Sequence, residues 1–432
     1  MNRLDRRGCS VSGAEPAALD AFERALAAYQ GWHSGAEAPL ALALEQAPGF
    51  VMAHVLQAYL LACSRDPRRL AMARPTLARA AALPANPRER LHIAAIAALL
   101  DDDDFDQARA TLGELLRREP RDALALQVAH SLDYLAGDVE CMNERVAAVL
   151  PAWSTELPGY HAILAMHAFG LEENGRHEEA EASARAALAL DPLDARAHHA
   201  MAHVFEMTDR PEAGERWLAD HAEGWANDTV VTTHCWWHRG LFQLALGRPD
   251  RALDIYHHHV RGDGDSQAVA DLIDASALLW RIGLAGADTS GRWLDLADAW
   301  APHIDDCFCS FNDLHAMLAL VGARDWQRAD KFVGALRAAH ARPTRHGTTT
   351  RLLGLAACRA LVAFGRGDDL RAITLLASLP AQAHRIGGSH AQRDVLHLTM
   401  ERAIERLRTT KGWGSEGQVM PAEPVAGLIA GG

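Results

Sequence analysis

Apolar and small residues recur with the helical period from about residue 17 to about residue 408, interrupted at short intervals by Gly, Pro and Asp. Positions three and four apart share one helix face, so the pattern predicts a long series of amphipathic helices, each folded back on the one before. No stretch alternates with the period of two that a half-buried strand needs. Gly247-Arg248-Pro249-Asp250 and Gly365-Arg366-Gly367-Asp368 read as tight turns inside a helix pair. Ala47-Pro48, Glu119-Pro120 and Asp191-Pro192 read as ends of units, because proline cannot continue a helix. Asp101 to Asp104 falls at a turn of the first kind and reads as four solvated carboxylates, with a calcium site as the alternative. Residues 1–16 lie outside the periodic region and read as a flexible N-terminus. From about residue 409 to 432 the chain is Gly-, Pro- and Ala-rich without a period, which predicts a disordered or loosely attached tail. One domain, 17–408, holds everything between.

His161 to Pro192 is the clearest unit: a helix, a turn at Gly175, a second helix with Ala180 and Ala187, and Asp191-Pro192 at its close. This resembles the tetratricopeptide repeat, with small residues where two helices touch and a proline ending the pair. With the first small residue of the second helix as a ruler, the register runs through Ala108, Cys141, Ala180, Ala213, Ala252, Ala297, Ala329 and Ala372. Unit length stays near about 34 residues, with insertions. The expected fold is all-α: an α-solenoid of tetratricopeptide-like helix pairs that curls into a superhelix, its concave face made by the first helix of each pair.

Composition narrows the use of such a frame. Half the residues are hydrophobic, and the formal net charge is −13. That balance argues against nucleic acid or an anionic membrane as partner, since both select a basic face. No run of about 18 apolar residues predicts a membrane span, and the first residues lack the apolar core of a secretory signal. Seven scattered cysteines suggest neither a disulfide framework nor a zinc knuckle, which points to a reducing cytoplasm.

Histidine is the anomaly, at 23 residues. His199, His238 and His315 each stand fourteen residues before a ruler position, so three units place an imidazole at one equivalent point of the first helix. His203 and Glu206, His234, and Asn312 share their faces, with Trp236, Trp237 and Asp313 close by. His167 falls one residue off the same register, and His161, His130 and Asp133 occupy matching stretches earlier. A packed core favours Leu, Ile and Phe, and a solvated face favours Lys, Glu and Arg, so this stripe reads as a polar, aromatic-walled site facing the groove. Three readings fit it: satisfied histidines bridging successive units, a binding site without chemistry, and a catalytic site in which His199, His238 and His315 act as acids, bases or metal ligands while Glu206 and Asp313 orient them. His203, His234, Trp237, Asn312 and His167 would line the bound ligand. No cofactor is fixed by the pattern. A divalent metal such as zinc is the one that the His199/His203 spacing admits, with Glu206, His238 or His315 completing its ligands. The segment is His-Ala-Met-Ala-His and lacks the glutamate of the zinc-protease motif.

Gly387-Gly388-Ser389-His390-Ala391-Gln392-Arg393-Asp394 carries a capping box, Ser389 with Gln392, after two turn glycines. One reading stops there. The other has this last helix face the histidine stripe, with His390 and Arg393 in its first turn holding an anionic ligand group. Cys358 occupies the histidine-equivalent position of its unit and reads as packing rather than as a nucleophile. His257-His258-His259 trails a second helix and reads as solvated.

Pro48-Gly49-Phe50-Val51-Met52-Ala53-His54, His199-Ala200-Met201-Ala202-His203-Val204-Phe205-Glu206-Met207, Ser310-Phe311-Asn312-Asp313-Leu314-His315-Ala316-Met317 and the Gly387–Asp394 stretch together resemble the tetratricopeptide repeat protein thirty-eight-like family, over nearly the whole chain. That resemblance implies an all-helical repeat protein and supplies no activity or residue role. The expected function is a central histidine-rich pocket that binds, and as an enzyme would transform, a small polar molecule or short peptide. The alternative is a protein–protein interaction scaffold using the concave groove. A homo-oligomer is compatible with either.

Overall fold

Helices make up nearly all of the chain, and they come in antiparallel pairs because no single one could bury its apolar stripe alone. The computed structural model describes residues 3–410 except 65, 102, 103, 263, 265 and 378. The pairs are α1 (Pro16–Gln30) with α2 (Glu37–Gln46), α3 (Val51–Ala62) with α4 (Pro67–Ala82), α5 (Pro87–Asp101) with α6 (Phe105–Arg118), α7 (Ala123–Ala136) with α8 (Val139–Val149), and α9 (Tyr160–Glu173) with α10 (His177–Leu190). They continue as α11 (Ala195–Met207) with α12 (Pro211–Asp220), α13 (Thr232–Ala245) with α14 (Pro249–Ile255), α15 (Val269–Leu284) with α16 (Trp293–Trp300), and α17 (Ser310–Gly322) with α18 (Trp326–Ala339). After the short α19 (Arg345–Thr349) and a π turn at Thr350–Gly354 come α20 (Leu355–Gly365) with α21 (Asp369–Leu376), then α22 (His390–Arg393) and a closing α23 (Val395–Thr410).

Two kinds of helix result. The second helices bury a narrow stripe: α10 hides Ala180, Ala184 and Ala187 and exposes most of the rest. The first helices stack on one another, α11 against α13, α13 against α15, α15 against α17, and α11 is buried at every residue from Ala195 to Phe205. Ala108, Ala180, Ala252, Ala297, Ala329 and Ala372 are fully buried on their second helices, as the register predicts, whereas Cys141 on α8 and Ala213 on α12 are only half-buried and the next residues, Met142 and Gly214, take the buried place. Aspartates start many of the helices, Asp104, Asp122, Asp138, Asp194, Asp325 and Asp368 each accepting a backbone N–H.

The superhelix closes on itself. Residues Pro380–Ile386 lie against α7, and α22 lies against α11. Tyr134 donates its hydroxyl to Gln392 at 2.6 Å, and Arg345 pairs with Asp106 at 2.8 Å across the array. Two glycines permit this approach. A Cβ on Gly137 (φ +65°) would stand 1.7 Å from the His384 carbonyl oxygen, and one on Gly387 (φ +91°) 2.7 Å from the Leu135 carbonyl oxygen on α7. At the other end, the turn after α1 pairs with the loop before α13, Ser34 N–H to Asp228 O at 2.7 Å and Val230 N–H to Trp32 O at 2.9 Å.

The N-terminal segment departs from expectation. The N-terminus was expected to be flexible and the chain free of strands; instead Arg3–Leu4 and Ser10–Val11 form a small antiparallel ladder. Asp5 knots its turn by accepting from Arg7 N–H and Cys9 N–H, both at 2.9 Å, and buried Arg7 pairs with Glu23 at 2.7 Å. Strands of two residues are too short to leave a period in sequence. Of the aspartate run, Asp104 caps α6, while Asp102 and Asp103 lie outside the described residues. The last helix runs to Thr410, and the tail from residue 411 to 432 lies outside the described residues.

The frame carries buried charge. Asp122 accepts from Arg88 Nε at 2.6 Å, from His92 Nε2 at 3.0 Å and from the Ala125 N–H at 3.0 Å. Asp122→Ala removes a cap and strands a buried guanidinium, so the variant should lose about 3–5 kcal/mol of unfolding free energy in urea titration. A loss under about 1 kcal/mol would show that Arg88 finds other solvation there.

Candidate functional site

The first-helix stack changes character at α11 and α13. Apolar side chains line it on either side, but here imidazoles fill the space. On α11, His199 and His203 stand four apart and so share a face; on α13, His234 and His238 do the same. The helices pack directly, which brings all four rings together. Ring centroids are 4.5 Å apart for His203 and His238, 4.9 Å for His199 and His234, and 4.9 Å for His234 and His238. His199 Nε2 and His203 Nε2 are 3.0 Å apart. One nitrogen from each of the four lies within 4.8 Å of the others.

A shell of carboxylates and aromatics surrounds the quartet. His238 Nδ1 is 3.0 Å from Glu206 Oε2, His234 Nδ1 is 2.9 Å from Asp274 Oδ1 on α15, and His203 Nδ1 is 3.6 Å from Glu172 Oε2 on α9. Trp237 stacks parallel on His234 at 5.0 Å. Phe169 packs edge-on to His203, and Trp32, brought from the N-terminal turn, tilts over His199 at 5.4 Å. Beyond Glu206 opens a cavity of about 620 Å³ whose polar lining includes Glu206, Asp209, Arg281, Asp394, Glu401 and Arg402.

Burial sets the charge state. It pushes the His199, His203 and His238 imidazoles well below their ordinary value, and their mutual repulsion adds to the effect. Burial also raises the Glu172 carboxyl far above the carboxylate range and holds Glu206 up to about 7. His199, His203 and His238 are therefore uncharged rings, each with a lone-pair nitrogen.

The expected site residues divide. His199, His203, His234, His238, Glu206 and Trp237 are brought together. His315 is not: its Nδ1 sits 2.7 Å from the Phe311 carbonyl on its own helix, and α15 stands between α13 and α17. Asn312 and Asp313 line a separate small pocket with Trp300, His303 and Phe308, where burial pushes the Asp313 carboxyl well up. His167 is half-buried on α9, and the charges acting on it come from Arg176 and Glu179 at the far end of its pair. His390 and Arg393 reach the rim, with the capping box formed, but Arg393 is committed to buried Glu173 at 3.2 Å rather than open to an anionic ligand. Glu173 also accepts the His390 N–H at 2.8 Å. Cys358 is buried, its thiol pushed up by desolvation. Glu172, Asp274 and Trp32 were missed. Glu172 stands one residue from the Glu206 register and could have been found that way; Asp274 and Trp32 arrive from elements whose docking leaves no local signal.

No family model matches the chain. The TPR domain of P58(IPK), solved by crystallography, is 14% identical to it, the match covering 91% of this chain and 98% of that one, with a TM-score of 0.23. A score that low carries no argument. The helix pairs and their register are what make this a tetratricopeptide-like repeat scaffold. Among the described residues no helix is long and apolar enough to cross a membrane.

His130, buried on α7 with its Nε2 3.2 Å from the Met166 carbonyl, is held down to about 3 by burial first and Arg196 second. The unfolded chain takes up this proton near pH 6.5 and the folded one does not, so the group costs stability as pH falls below 6.5. Glu206 has the opposite sign: its raised carboxyl adds stability at low pH that is lost as pH rises toward 7. Relative to the parent, His130→Gln should gain about 2 kcal/mol on going from about pH 7.5 to about pH 5, and Glu206→Gln should lose ground over the same range. Parallel Tm–pH profiles for all three proteins would refute this assignment of protons.

Proposed function

We propose that the chain is a repeat scaffold that binds a small polar ligand in the cavity beside the histidine quartet. The observation that carries the reading is the continuity of Glu206: one face holds His238 and the other lines the cavity. The cavity has the ingredients of a ligand site, apolar walls from Leu241 and Phe242 with a few convergent polar groups. Acids outnumber bases along it, Glu206, Asp209, Asp394, Glu401 and Glu405 against Arg281 and Arg402. A ligand bearing an amine or another cationic group fits that balance. Glu206, held up to about 7, and His238 beside it can exchange a proton with such a group, which is the acid–base chemistry this reading includes.

The broader reading, a protein–protein interaction scaffold, rests on the helix-pair array alone and needs no chemistry. It has a structural condition. Residues Pro380–Ile386 and α22 already lie along α7 and α11, so a partner segment would displace them or dock on another face. The motif resemblance to the tetratricopeptide repeat protein thirty-eight-like family is part of the proposal and suits both readings.

A thermal-shift panel of amines, amino acids, sugars and dicarboxylates separates them. Cationic members should raise Tm by a few degrees, since a ligand at a hundred times its Kd adds about 2.7 kcal/mol. The shift should vanish in Glu206→Gln. If no class of small molecule shifts the parent protein, the ligand reading fails and the scaffold alone remains.

A further inference from the structure

We infer that His199, His203, His234 and His238 form a binding site for one divalent late transition metal, zinc in the first instance.

The donor set points there. Four imidazoles from two rigid, adjacent helices turn toward one point, and all are buried except His234, which is nearly so. Three have Nδ1 directed at a carboxylate, His238 at Glu206, His234 at Asp274 and His203 at Glu172. The hydrogen bonds of His234 and His238 fix their tautomers with Nε2 free to ligate, and a carboxylate behind a ligating histidine is the usual support of such a site. His199 also offers Nε2, 3.0 Å from that of His203.

Without a cation the arrangement is poorly satisfied. His238 Nε2, His199 Nδ1, His203 Nδ1 and both Glu172 oxygens are buried without a hydrogen-bond partner. Buried polar atoms are rarely left so. A metal would take the Nε2 lone pairs, and closing of the 3.6 Å gap would give His203 Nδ1 and Glu172 each a partner.

The geometry suits a small ion. Zinc–nitrogen bonds of about 2.0–2.1 Å in a tetrahedron put nitrogens about 3.3 Å apart. Here the nearest pair is at 3.0 Å and none exceeds 4.8 Å, a difference that side-chain rotation covers without moving a helix. An all-nitrogen set excludes calcium and magnesium, which take oxygen, and gives no preference to thiophilic ions. The inference does not depend on a ligand in the neighbouring cavity.

The test uses the full chain without an affinity tag. The exposed His257-His258-His259 run is the natural competitor for loosely held metal, so the control is the triple variant His257→Ala/His258→Ala/His259→Ala. Elemental analysis after dialysis against a weak chelator should find about one zinc per chain in the parent and in the control. His203→Ala/His238→Ala should lose it while circular dichroism reports whether helix content survives. X-ray absorption on the zinc-loaded parent guards against a variant that misfolds, and should give a nitrogen-only shell at about 2.0–2.1 Å. Zinc that leaves with the surface triplet, a shell containing sulfur or mainly oxygen, or metal-stripped protein that binds added zinc more weakly than about 1 µM would each overturn the inference. A metal-free protein whose Tm still rises with amines would keep the ligand reading and lose this one.

Discussion

A helix buried on every side has no water to offer its polar side chains, so each must find a partner on a neighbour. α11 is that helix. Its buried run includes Arg196, His198, His199 and His203, and the surrounding elements answer them one by one. Arg196 lies over the Trp32 ring at 4.0 Å. His198 meets the Pro192 carbonyl at 2.9 Å. His199 and His203 meet each other at 3.0 Å, the two histidines of α13, Phe169, Trp32 and, at 3.6 Å, Glu172. A related clasp recurs at three steps of the array, tying α5 to the start of α7, α9 to the start of α11 and α13 to α15 through a histidine and an aspartate: His92 with Asp122, His161 with Asp194, His234 with Asp274. The frame therefore explains several of the histidines as ties between units, and leaves the quartet as the group that ties do not exhaust.

Those interior groups are mostly held uncharged. Desolvation drives protons off the imidazoles and onto Glu172 and Glu206. Glu173, the neighbour of Glu172, meets a cation directly in Arg393. Neutral imidazole keeps its lone pair, whereas imidazolium has none to give. A site built from neutral rings beside a carboxyl near 7 is thus suited to taking a cation or passing a proton, and ill suited to gripping an anion.

The repeat was legible in sequence because it is local. Small residues at one register, turn glycines and closing prolines are all set by contacts inside a pair or between neighbours, and six of the eight ruler positions are buried where that spacing puts them, Cys141 and Ala213 missing by one residue. The pairing of His199 with His238 was legible for the same reason, since α11 and α13 are adjacent. Extending the register to His315 failed on geometry. Equivalent positions of a curling stack point in directions that rotate from unit to unit, and with α15 intervening an equal register no longer means a shared destination. The residues that complete the shell depend on long-range closure: Trp32 comes from a turn after α1, and Glu173 is met by Arg393 more than two hundred positions away. The N-terminal ladder escaped because two-residue strands have no period to read.

That closure brings a turn of the first unit and the segment before the last helix to the quartet. Trp32 covers His199 from the N-terminal side, and the Glu173–Arg393 pair holds the C-terminal segment against α9, next to Glu172 and His203. Anything that binds at the quartet therefore binds where the first and last units are fastened. Binding there favours the closed arrangement over any opened one by its difference in affinity for the two, and closure strengthens binding by the same factor. Gly137 and Gly387, whose bare backbones let the last segment approach α7, stand far in sequence from the quartet, yet they belong to the same thermodynamic unit as the site.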